Sequence, residues 1–572
     1  MADVVKQLTQ EQLAALERRD GELLLAAAAG SGKTSVLVER FARLVCDDGI
    51  EVGRVLAITF TEKVASELKG RVRAALLARG EEARAREAEA GWISTIHGFC
   101  ARILRAHALS AGLDPRFVVL DGPEADRVAR DAFFEALDEH VAARGEPAEA
   151  MVGAYGADPL RGAITNAHDE LRSRGRPPEL PPLGPRTTAA EAAERLGAAA
   201  EALGRELGAL PEPGVSVRNA LAALDACRGR LDCFGENIPR PGEWDDAVIK
   251  GGGGNALATD ATGAYRVAHR EFAKACVDHH AAQTYELMGD LLRRHAERYA
   301  QRKAERSAQD FSDLELAAHR LLTRDTEVRA RVSERFERIM VDEFQDTNQL
   351  QLDLLKLIAR DNLFTVGDEM QAIYGFRHAD VQLFRDRRAE LEPTDRVRAL
   401  RRNFRSHPTL LAALNAAFAP SLGERFVPLV APEGAAGEAP DAEPRVEVLV
   451  TDCEAPWQDV ELVASGTPPP AQPWRAAEAR LLAQRIDDLL AEGRRAGDIV
   501  VLLRATGDMA LYERALEDRG VRTYLIGGRG YWAHREVQDG LAHLSVLANP
   551  RDELRLYEVL SSPLVGVSSD TI

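Results

Sequence analysis

Apolar residues along the chain form short continuous runs, each followed by a segment in which they recur at helical spacing. From Glu22 on, ELLLAAAAGSGKTSVLVERFARLV predicts a strand, a glycine-rich loop and a helix. RVLAITF (54–60) predicts a second strand, and TEKVASELKGRVRAALL after it predicts a helix. Between residues 337 and 369, ERIMVDEF, QLQLDLLKLIA and LFTVGDE predict a strand, a helix and a strand. Alternation of this kind is typical of an α/β fold with a parallel sheet.

A long helical pattern, rich in Ala, Arg and Glu, separates the first two strands from the later ones. It predicts a large helical insertion at 121–300 within an α/β domain formed by residues 1–120 and 301–392. RVEVLV (445–450) and DIVVLLR (498–504) predict strands of a second α/β domain at 393–534. Residues 535–572 are helical in pattern, and we expect them to begin a second helical domain.

Composition narrows the class of protein. With 572 residues the chain is too long for a single core, and 45% hydrophobic with 29% charged residues is typical of globular proteins. The formal charge of −18 argues against general affinity for nucleic acids, although it leaves room for a local basic groove. No apolar run is long enough to span a bilayer, so we expect a cytoplasmic protein without a membrane partner. The six cysteines lack CxxC pairing and indicate reduced thiols.

The segment AAAGSGKT, from Ala27 to Thr34, has the composition of a phosphate-binding loop. Gly30 and Gly32 allow the backbone to turn its N–H groups towards phosphates, and the following helix adds its positive end. Lys33 offers a point charge to phosphate oxygens, and Thr34 offers a hydroxyl to Mg²⁺. Ala27 occupies the position of the first glycine in the general pattern. A glycine-rich turn without function is the alternative.

Two adjacent carboxylates, Asp342 and Glu343, follow the apolar residues of a predicted strand. Burying them is costly unless a cation or an activated water needs them. Asp342 is in the position of a carboxylate that holds Mg²⁺, and Glu343 in that of a general base for the attacking water. A solvated acidic cluster is the alternative, which the apolar Ile-Met-Val before it disfavours.

Eight motifs together resemble those of a known family. In chain order they are LTQEQ, AAAGSGKT, ITFTEKVASELKGRV, ISTIHGFCARILRAH, DFSDL, VDEFQDT, VGDEMQAIYGFRHAD and LRRNFRS, between residues 8 and 406. They resemble superfamily 1 DNA helicases of the UvrD/Rep group and, within it, the AddA/RecB branch of exonuclease V-like complexes. The resemblance implies a P-loop NTPase with two RecA-like parallel-sheet motor domains, and an ATP-dependent, 3′ to 5′ motor on single-stranded DNA.

The resemblance also implies a role for each residue of the nucleotide site. Gln12 would read the adenine, Gln371 would sense the γ-phosphate, and Arg405 would reach that phosphate from near the second motor domain. ATP and Mg²⁺ are the implied cofactors, with Thr34 and Asp342 as metal ligands. The implied nucleotide-binding residues are Gln12, Ala27, Ala28, Ala29, Gly30, Ser31, Gly32, Lys33, Thr34 and Arg405.

Three sets of small polar and aromatic residues are candidates for binding single-stranded DNA. Hydroxyls suit phosphates, while aromatic faces stack on bases without reading sequence. Without the resemblance, each aromatic residue is better explained as part of the core, and His97 equally as a structural histidine. The candidates are Thr59, Phe60, Thr61 and Lys63, then Thr95, His97 and Phe99, then Tyr374, Phe376 and Arg377.

Some features depart from the family pattern. Met370 and His378 stand where small residues are usual, and Ser35 follows GKT where some branches have Arg. The chain ends before the last two helicase motifs and the nuclease domain of many AddA/RecB relatives. The resemblance implies an AddB- or RecC-like partner subunit and duplex DNA ends as a further substrate. The alternatives are a motor fragment that binds nucleotide and DNA without unwinding, and a P-loop switch module that does not act on DNA.

Overall fold

The computed structural model describes residues 8–19, 21–184, 187–234, 238–239, 243–249, 255–423, 426–432, 446–454, 473–505, 507–526 and 535–567. The chain divides into two compact units, Met1–Glu438 and Ala439–Ile572. No described helix combines the length and the apolar character needed to cross a lipid bilayer.

Strands occur in the first unit of the described chain, and the main sheet is parallel throughout. They are β1 Leu23–Ala27, β2 Val55–Thr59, β3 Trp92–Thr95, β4 Val118–Val119, β5 Ala308–Gln309, β6 Arg338–Val341, β7 Leu363–Gly367 and β8 Val397–Leu400. The six-stranded sheet has the order β3–β2–β6–β7–β1–β8, while β4 and β5 form a separate pair. Because all six strands run the same way, their carboxyl ends meet at one edge.

Helices account for most of the remaining regular structure. In the first unit they are α1 Gln10–Glu17, α2 Lys33–Cys46, α3 Glu62–Leu77, α4 Glu82–Glu87, α5 Ile96–Ala106, α6 Ala108–Ala111, α7 Gly122–Arg144, α8 Glu146–Tyr155, α9 Ala157–Ser173, α10 Ala189–Gly208, α11 Val215–Leu231, α12 Asp260–Glu305, α13 Phe311–Arg324, α14 Thr326–Arg335, α15 Gln349–Ile358, α16 Val381–Leu391 and α17 Pro408–Leu422. In the second they are α18 Pro473–Ala491, α19 Met509–Glu517, α20 Arg535–Ala548 and α21 Glu553–Ser561.

The main sheet is buried on both faces, which explains its nearly continuous apolar strands. Alternate side chains of β1 enter different cores: Leu23 and Leu25 pack on the side of Phe41, and Leu24 packs on the side of Phe336. The α/β alternation predicted from the sequence is therefore present, with helices on both faces of a parallel sheet.

The helices α7 to α12 occupy the segment expected to form a helical insertion, between β4 and β5. They have their own apolar clusters, one around Leu196, Leu224 and Phe272 and another around Phe133 and Leu291. The longest helix, α12, has 46 residues and contributes to both clusters. The insertion therefore has a core independent of the sheet.

Two expectations for the later part of the chain differ from the structure. We expected residues from 393 onwards to belong to a second α/β domain, but β8 pairs with β1 in the first sheet. Strands were also predicted at 445–450 and 498–504. The described residues of these segments, 446–450 and 498–504, pair with no other strand. Val448 and Leu502 are 81% and 89% exposed. Their apolar residues favour an extended backbone locally, but a β-strand also requires a neighbouring strand to which it is hydrogen-bonded.

Candidate nucleotide and DNA site

The phosphate loop joins β1 to α2 at the carboxyl edge of the sheet. Gly30 and Gly32 have φ values of 67° and 88°, in the left-handed region that glycine tolerates best. Lys33 is the first residue of α2, so the loop ends at a helix N-terminus of the kind that binds phosphate. The Ser31 hydroxyl is buried without a hydrogen-bond partner within the described chain, which fits a loop that receives a polar ligand. Ala27 is not in the loop, because it is the last residue of β1.

Gln12 and the segment after β8 hold the phosphate loop from two sides. Gln12 Nε2 donates to the Ser31 carbonyl at 3.0 Å. On the other side, Asn403 Nδ2 donates to the Ala29 carbonyl at 2.8 Å, and the Phe404 N–H donates to Gly30 at 2.9 Å. The exposed Arg405 is therefore anchored next to the loop through its backbone.

The acidic pair reaches the phosphate loop at Lys33. Lys33 Nζ and Glu343 Oε2 are 2.9 Å apart although 310 residues separate them in the chain. Glu343 has a φ of 49°, an uncommon backbone conformation for a non-glycine residue. Burial, followed by the nearby Glu343 charge, raises the pKa of Asp342 to about 6, while Lys33 opposes the rise. A bound cation would remove this cost, and the oxygen donors of Asp342 and Thr34 are of the kind that Mg²⁺ prefers.

Gln371 lies near the phosphate loop on a segment that follows β7. It lines a cavity of about 580 Å³ together with Ala27, Ala28 and Ala29. Its Nε2 donates to Asp368 Oδ2 at 2.6 Å, which fixes the side chain relative to the end of β7. The structure thus brings this predicted residue beside the loop.

Three aromatic residues from two distant motifs form one cluster, which we call the aromatic platform (Phe60, Tyr374 and Phe376). The Phe60 and Tyr374 ring centroids are 4.4 Å apart, and those of Tyr374 and Phe376 are 5.9 Å apart. Phe376 is 76% exposed, and the Arg377 guanidinium lies 5.9 Å from its ring centroid. Exposed aromatic faces with an adjacent cation fit the stacking of nucleobases.

Beside the platform lies a cavity of about 870 Å³ between the sheet edge and the helical insertion. Its lining includes the acidic residues Asp342, Glu343 and Asp346 of the loop after β6 and most of the predicted DNA-binding residues. Those predicted residues are Thr59, Phe60, Thr95, His97, Phe376 and Arg377. The Thr59 hydroxyl is buried without a hydrogen-bond partner in the described chain.

The remaining DNA-binding candidates divide into core, capping and exposed positions. Phe99 is 1% exposed and packs against Trp92 and Phe336, so its prediction as a DNA contact is wrong. It lies on the face of α5 that covers the sheet, which a short local motif does not reveal. The Thr61 hydroxyl caps α3, and Lys63 is exposed on the first turn of that helix.

Thr95 and His97 line the cavity while they already have protein partners. The Thr95 hydroxyl accepts from the Gly98 N–H at 3.0 Å and donates to Glu62 at 2.6 Å. His97 Nε2 lies 3.0 Å from Glu315 Oε1. His97 therefore has a structural role as the partner of Glu315, and it also lines the cavity as a DNA contact would.

Comparison with known families decides the identity of the fold. The model of the UvrD/REP helicase N-terminal domain matches residues 8–392, and that of the UvrD-like helicase C-terminal domain matches residues 399–572. This chain belongs to the UvrD-like helicases. The family and the α/β fold class predicted from the motifs are confirmed. The two family models meet near residue 395, whereas the first compact unit of this UvrD-like helicase continues to Glu438.

Curated relatives of this UvrD-like chain are each named as one subunit of an ATP-dependent helicase/nuclease. The protein from Alkaliphilus metalliredigens is 30% identical, over 98% of this chain and 52% of its own length. Those from Geobacillus kaustophilus and Pelotomaculum thermopropionicum are 30% and 29% identical, over 97% and 98% of this chain and 52% and 53% of their own lengths. The chain spans about half the length of the curated relatives it matches.

Two residues of the UvrD-like site were missed as site residues at the sequence level. Asn403 holds the phosphate loop and accepts from the Arg405 and Ser406 N–H groups at 2.8 Å each. Gln345 is buried between the acidic pair and the end of β7. Both lie within family motifs, NFRS and DEFQDT. Their position in these motifs is the signal that could have identified them, because an amide side chain by itself does not indicate a function.

Proposed function

We propose that this chain is the motor part of an ATP-dependent DNA helicase. It would hydrolyse ATP and move 3′ to 5′ along single-stranded DNA during break processing, recombination and repair. The family membership supports ATP use and action on DNA, and the direction comes from the resemblance of the motifs.

One observation carries the proposal: the Lys33–Glu343 contact lies in the same compact unit as the exposed aromatic platform. The contact brings together a lysine that can neutralise phosphates and a carboxylate that can position a water, two groups that serve phosphoryl transfer to water. The cavity that Glu343 and Asp342 line is also lined by Phe60 and Phe376. The residues proposed for hydrolysis and those proposed for DNA binding thus line the same cavity.

Each residue of the nucleotide site has a proposed task. Gln12 contacts the adenine, Lys33 neutralises the terminal phosphates, and Glu343 orients and deprotonates the attacking water. Gln371 and Arg405 sense the γ-phosphate, where a planar cation stabilises charge in the transition state. Thr34 and Asp342 would hold Mg²⁺, which when bound neutralises phosphate charge.

The proposed DNA path follows the aromatic platform. Phe60, Tyr374 and Phe376 stack on bases, and Arg377 contacts a phosphate or a base face. Such stacking tolerates any sequence because every base has a π face. This property suits a translocating motor.

An interacting protein belongs to the proposal as well. The relatives are named as subunits of a helicase/nuclease, which supports an AddB- or RecC-like partner and a substrate with duplex DNA ends. We propose a cytoplasmic location, where a bacterial DNA-processing subunit would meet its substrate.

Phosphate release with and without oligo(dT), measured with malachite green, tests the proposal. We expect stimulation by oligo(dT), loss of hydrolysis in Lys33→Ala, and loss of stimulation with retained basal hydrolysis in Phe376→Ala. Lys274→Ala is the matched control, because Lys274 pairs with Asp278 on the surface of α12. Unchanged turnover in Lys33→Ala would contradict the proposal.

Strand displacement distinguishes the remaining interpretation. The second candidate is a motor that binds nucleotide and DNA without unwinding. Stimulated hydrolysis without displacement of a labelled strand supports that second candidate. Hydrolysis that oligo(dT) leaves unchanged favours a P-loop switch instead.

A further inference from the structure

Gln345 is a buried side chain whose amide joins the loop after β6 to the loop after β7. It is 1% exposed. Its Nε2 donates to Glu343 Oε2 at 3.0 Å and to Asp346 Oδ2 at 3.1 Å. Its Oε1 accepts from the Asp368 backbone N–H at 2.9 Å. Carboxylates only accept and an N–H only donates, so these partners define one orientation of the amide.

The Nε2 end of this amide reaches the hydrolytic site. Glu343 Oε2 is shared, since it accepts from Gln345 Nε2 and from Lys33 Nζ at 2.9 Å. The carboxylate direction therefore depends on where Gln345 sits. A general base works only within hydrogen-bond reach of its proton, so a small rotation of Glu343 affects hydrolysis.

The Oε1 end reaches the segment that carries Tyr374 and Phe376 of the aromatic platform. Asp368 begins that segment, and its carboxylate accepts from Gln371 Nε2 at 2.6 Å. The far end is tied to the same acidic loop, because the Asp380 N–H donates to the Thr347 carbonyl at 3.1 Å. Tyr374 lies between these two ties, in contact with Phe60. The segment that carries Tyr374 is therefore joined at both ends to the loop that holds Glu343.

The close approach of the two loops depends on the absence of a side chain at Gly367. A Cβ there would lie 2.5 Å from Gln345 Oε1 and 2.9 Å from Phe384 Cε2. Gly367 is the last residue of β7 and is not among the glycines with positive φ. Its role is to leave space, and Gln345 fills that space.

We propose that Gln345 is a positioning residue that couples DNA on the aromatic platform to the orientation of Glu343. Base stacking shifts the segment after Asp368, and Gln345 transmits the shift to the carboxylate beside Lys33. The inference rests on the proposed function, because it requires both ligands. A Gln345 that only filled the core would support folding and leave the two ligands coupled.

The experiment measures thermodynamic coupling rather than activity. Fluorescence anisotropy gives the dissociation constant of labelled oligo(dT) with and without Mg²⁺ and a non-hydrolysable ATP analogue. The ratio of the two constants is the coupling, and it must equal the effect of oligo(dT) on nucleotide affinity. The full chain is compared with Gln345→Leu and Gln345→Glu. Gln349→Leu is the matched control, because its amide donates to Asp353 on its own helix.

We expect a ratio of about fivefold or more, in either direction, for the wild type and for the control, as is typical of allosteric coupling. For Gln345→Leu we expect a ratio within about twofold of one, with each single-ligand affinity kept within about threefold. Gln345→Glu keeps the size and the acceptor but loses the donor, so it decides the matter if the leucine variant unfolds. Coupling retained in a folded Gln345 variant overturns the proposal, as does a wild type that binds both ligands without coupling. A wild type that fails to bind oligo(dT) overturns the proposed function and, with it, this inference.

Discussion

At the scale of single residues, Gly30 shows how closely the phosphate loop packs against the segment that carries Arg405. A Cβ on Gly30 would lie 2.8 Å from the Asn403 amide atoms and 2.9 Å from the Arg405 Cβ. Its φ of 67° is also unfavourable for other residues. Space and backbone conformation therefore both require glycine at this position.

Gly30→Ala is expected to weaken nucleotide binding about tenfold or more, because about 1.4 kcal/mol of distortion suffices for that change. Titration with a fluorescent ATP analogue measures the affinity. Gly49→Ala is the matched control, since Gly49 has a φ of 73° but open space around its Cβ position. It is expected to lower stability by about 1 kcal/mol through backbone strain and to leave nucleotide affinity unchanged. Equal affinities of the two variants would contradict the packing argument.

The sequence predicted those site residues whose chemistry is visible in one motif. Lys33 and Glu343 were each predicted to act on the nucleotide, and their side chains are 2.9 Å apart. Phe99 was misassigned because local spacing does not show which helix face covers the sheet. Gln345 and Asn403 were missed because their contacts join segments remote from each other in the chain.

At the scale of elements, a buried ion-pair cluster connects the helical insertion to α13. Asp310, the N-cap of α13, accepts from Arg172 of α9 at 2.7 Å and from Lys303 of α12 at 2.7 Å. Burial alone would raise the pKa of Asp310, but the Arg172 and Lys303 charges outweigh it and hold the pKa well below its usual range. The cluster fixes the insertion against the sheet domain.

Two buried histidines lie next to this cluster, in surroundings that disfavour their protonated, charged form. Burial lowers the pKa of His168 to about 3 and that of His295 to about 4, and the charges of Arg172 and Lys303 add to both effects. Neither ring nitrogen of His295 has a hydrogen-bond partner in the described chain. The His295 ring stacks on Tyr299 and meets His168 edge to face. The surroundings of His295 thus suit an apolar ring.

His295→Phe is expected to reduce the acid sensitivity of the fold. A histidine whose pKa is lowered in the folded protein binds fewer protons in the folded state than in the unfolded state. Its contribution to the free energy of unfolding is therefore fully present above about pH 6.5 and is lost as the pH falls towards the pKa of the folded state. Removal of one such group lowers the slope of the unfolding free energy by about 1.4 kcal/mol per pH unit between roughly pH 6 and pH 4. Denaturant titrations at several pH values measure this slope.

His279→Phe on the same helix is the control for that measurement. Its side chain is only partly buried, and it contacts Gln283 on the surface of α12. The slope of this variant shows what the exchange of a histidine for phenylalanine on the surface of α12 does by itself. An unchanged slope in His295→Phe would show that His295 is protonated or solvated in the folded chain.

The order of elements was predictable where strands and helices alternate with clear periodicity, as in β1 to α3 and β6 to β7. β8 was not, because a four-residue strand carries little pattern and its membership depends on the free edge of β1. For the segments predicted as strands at 445–450 and 498–504, the apolar pattern is visible, but it does not specify a pairing partner.

At the scale of the whole molecule, we expect DNA to be bound through few phosphate contacts, because carboxylates accompany the arginines that line the larger cavity. The formal charge is −18, and the larger cavity has carboxylates as well as Arg130, Arg161 and Arg377 in its lining. Stacking on the aromatic platform is insensitive to salt compared with phosphate contacts. Affinity for single strands should therefore depend only moderately on salt.

Anisotropy titrations of labelled oligo(dT) at several NaCl concentrations measure this dependence. For three or four phosphate contacts we expect a slope of log K against log [NaCl] of roughly −2 to −3. Arg377→Ala is expected to reduce the slope by about 0.7 if it neutralises one phosphate. A slope steeper than about −6 would indicate an extended basic surface and contradict the stacking model.

The central claim is that Lys33 and the acidic pair form one hydrolytic site, in which Glu343 is the base. Glu343→Gln tests it most directly, because the substitution removes the base and keeps the shape of the side chain. ATP turnover in the presence of oligo(dT) and affinity for a fluorescent ATP analogue are measured on the same preparation. We expect ATP turnover to fall about a hundredfold or more, while nucleotide affinity stays within about threefold of the wild type. Turnover at the wild-type rate in Glu343→Gln would contradict it.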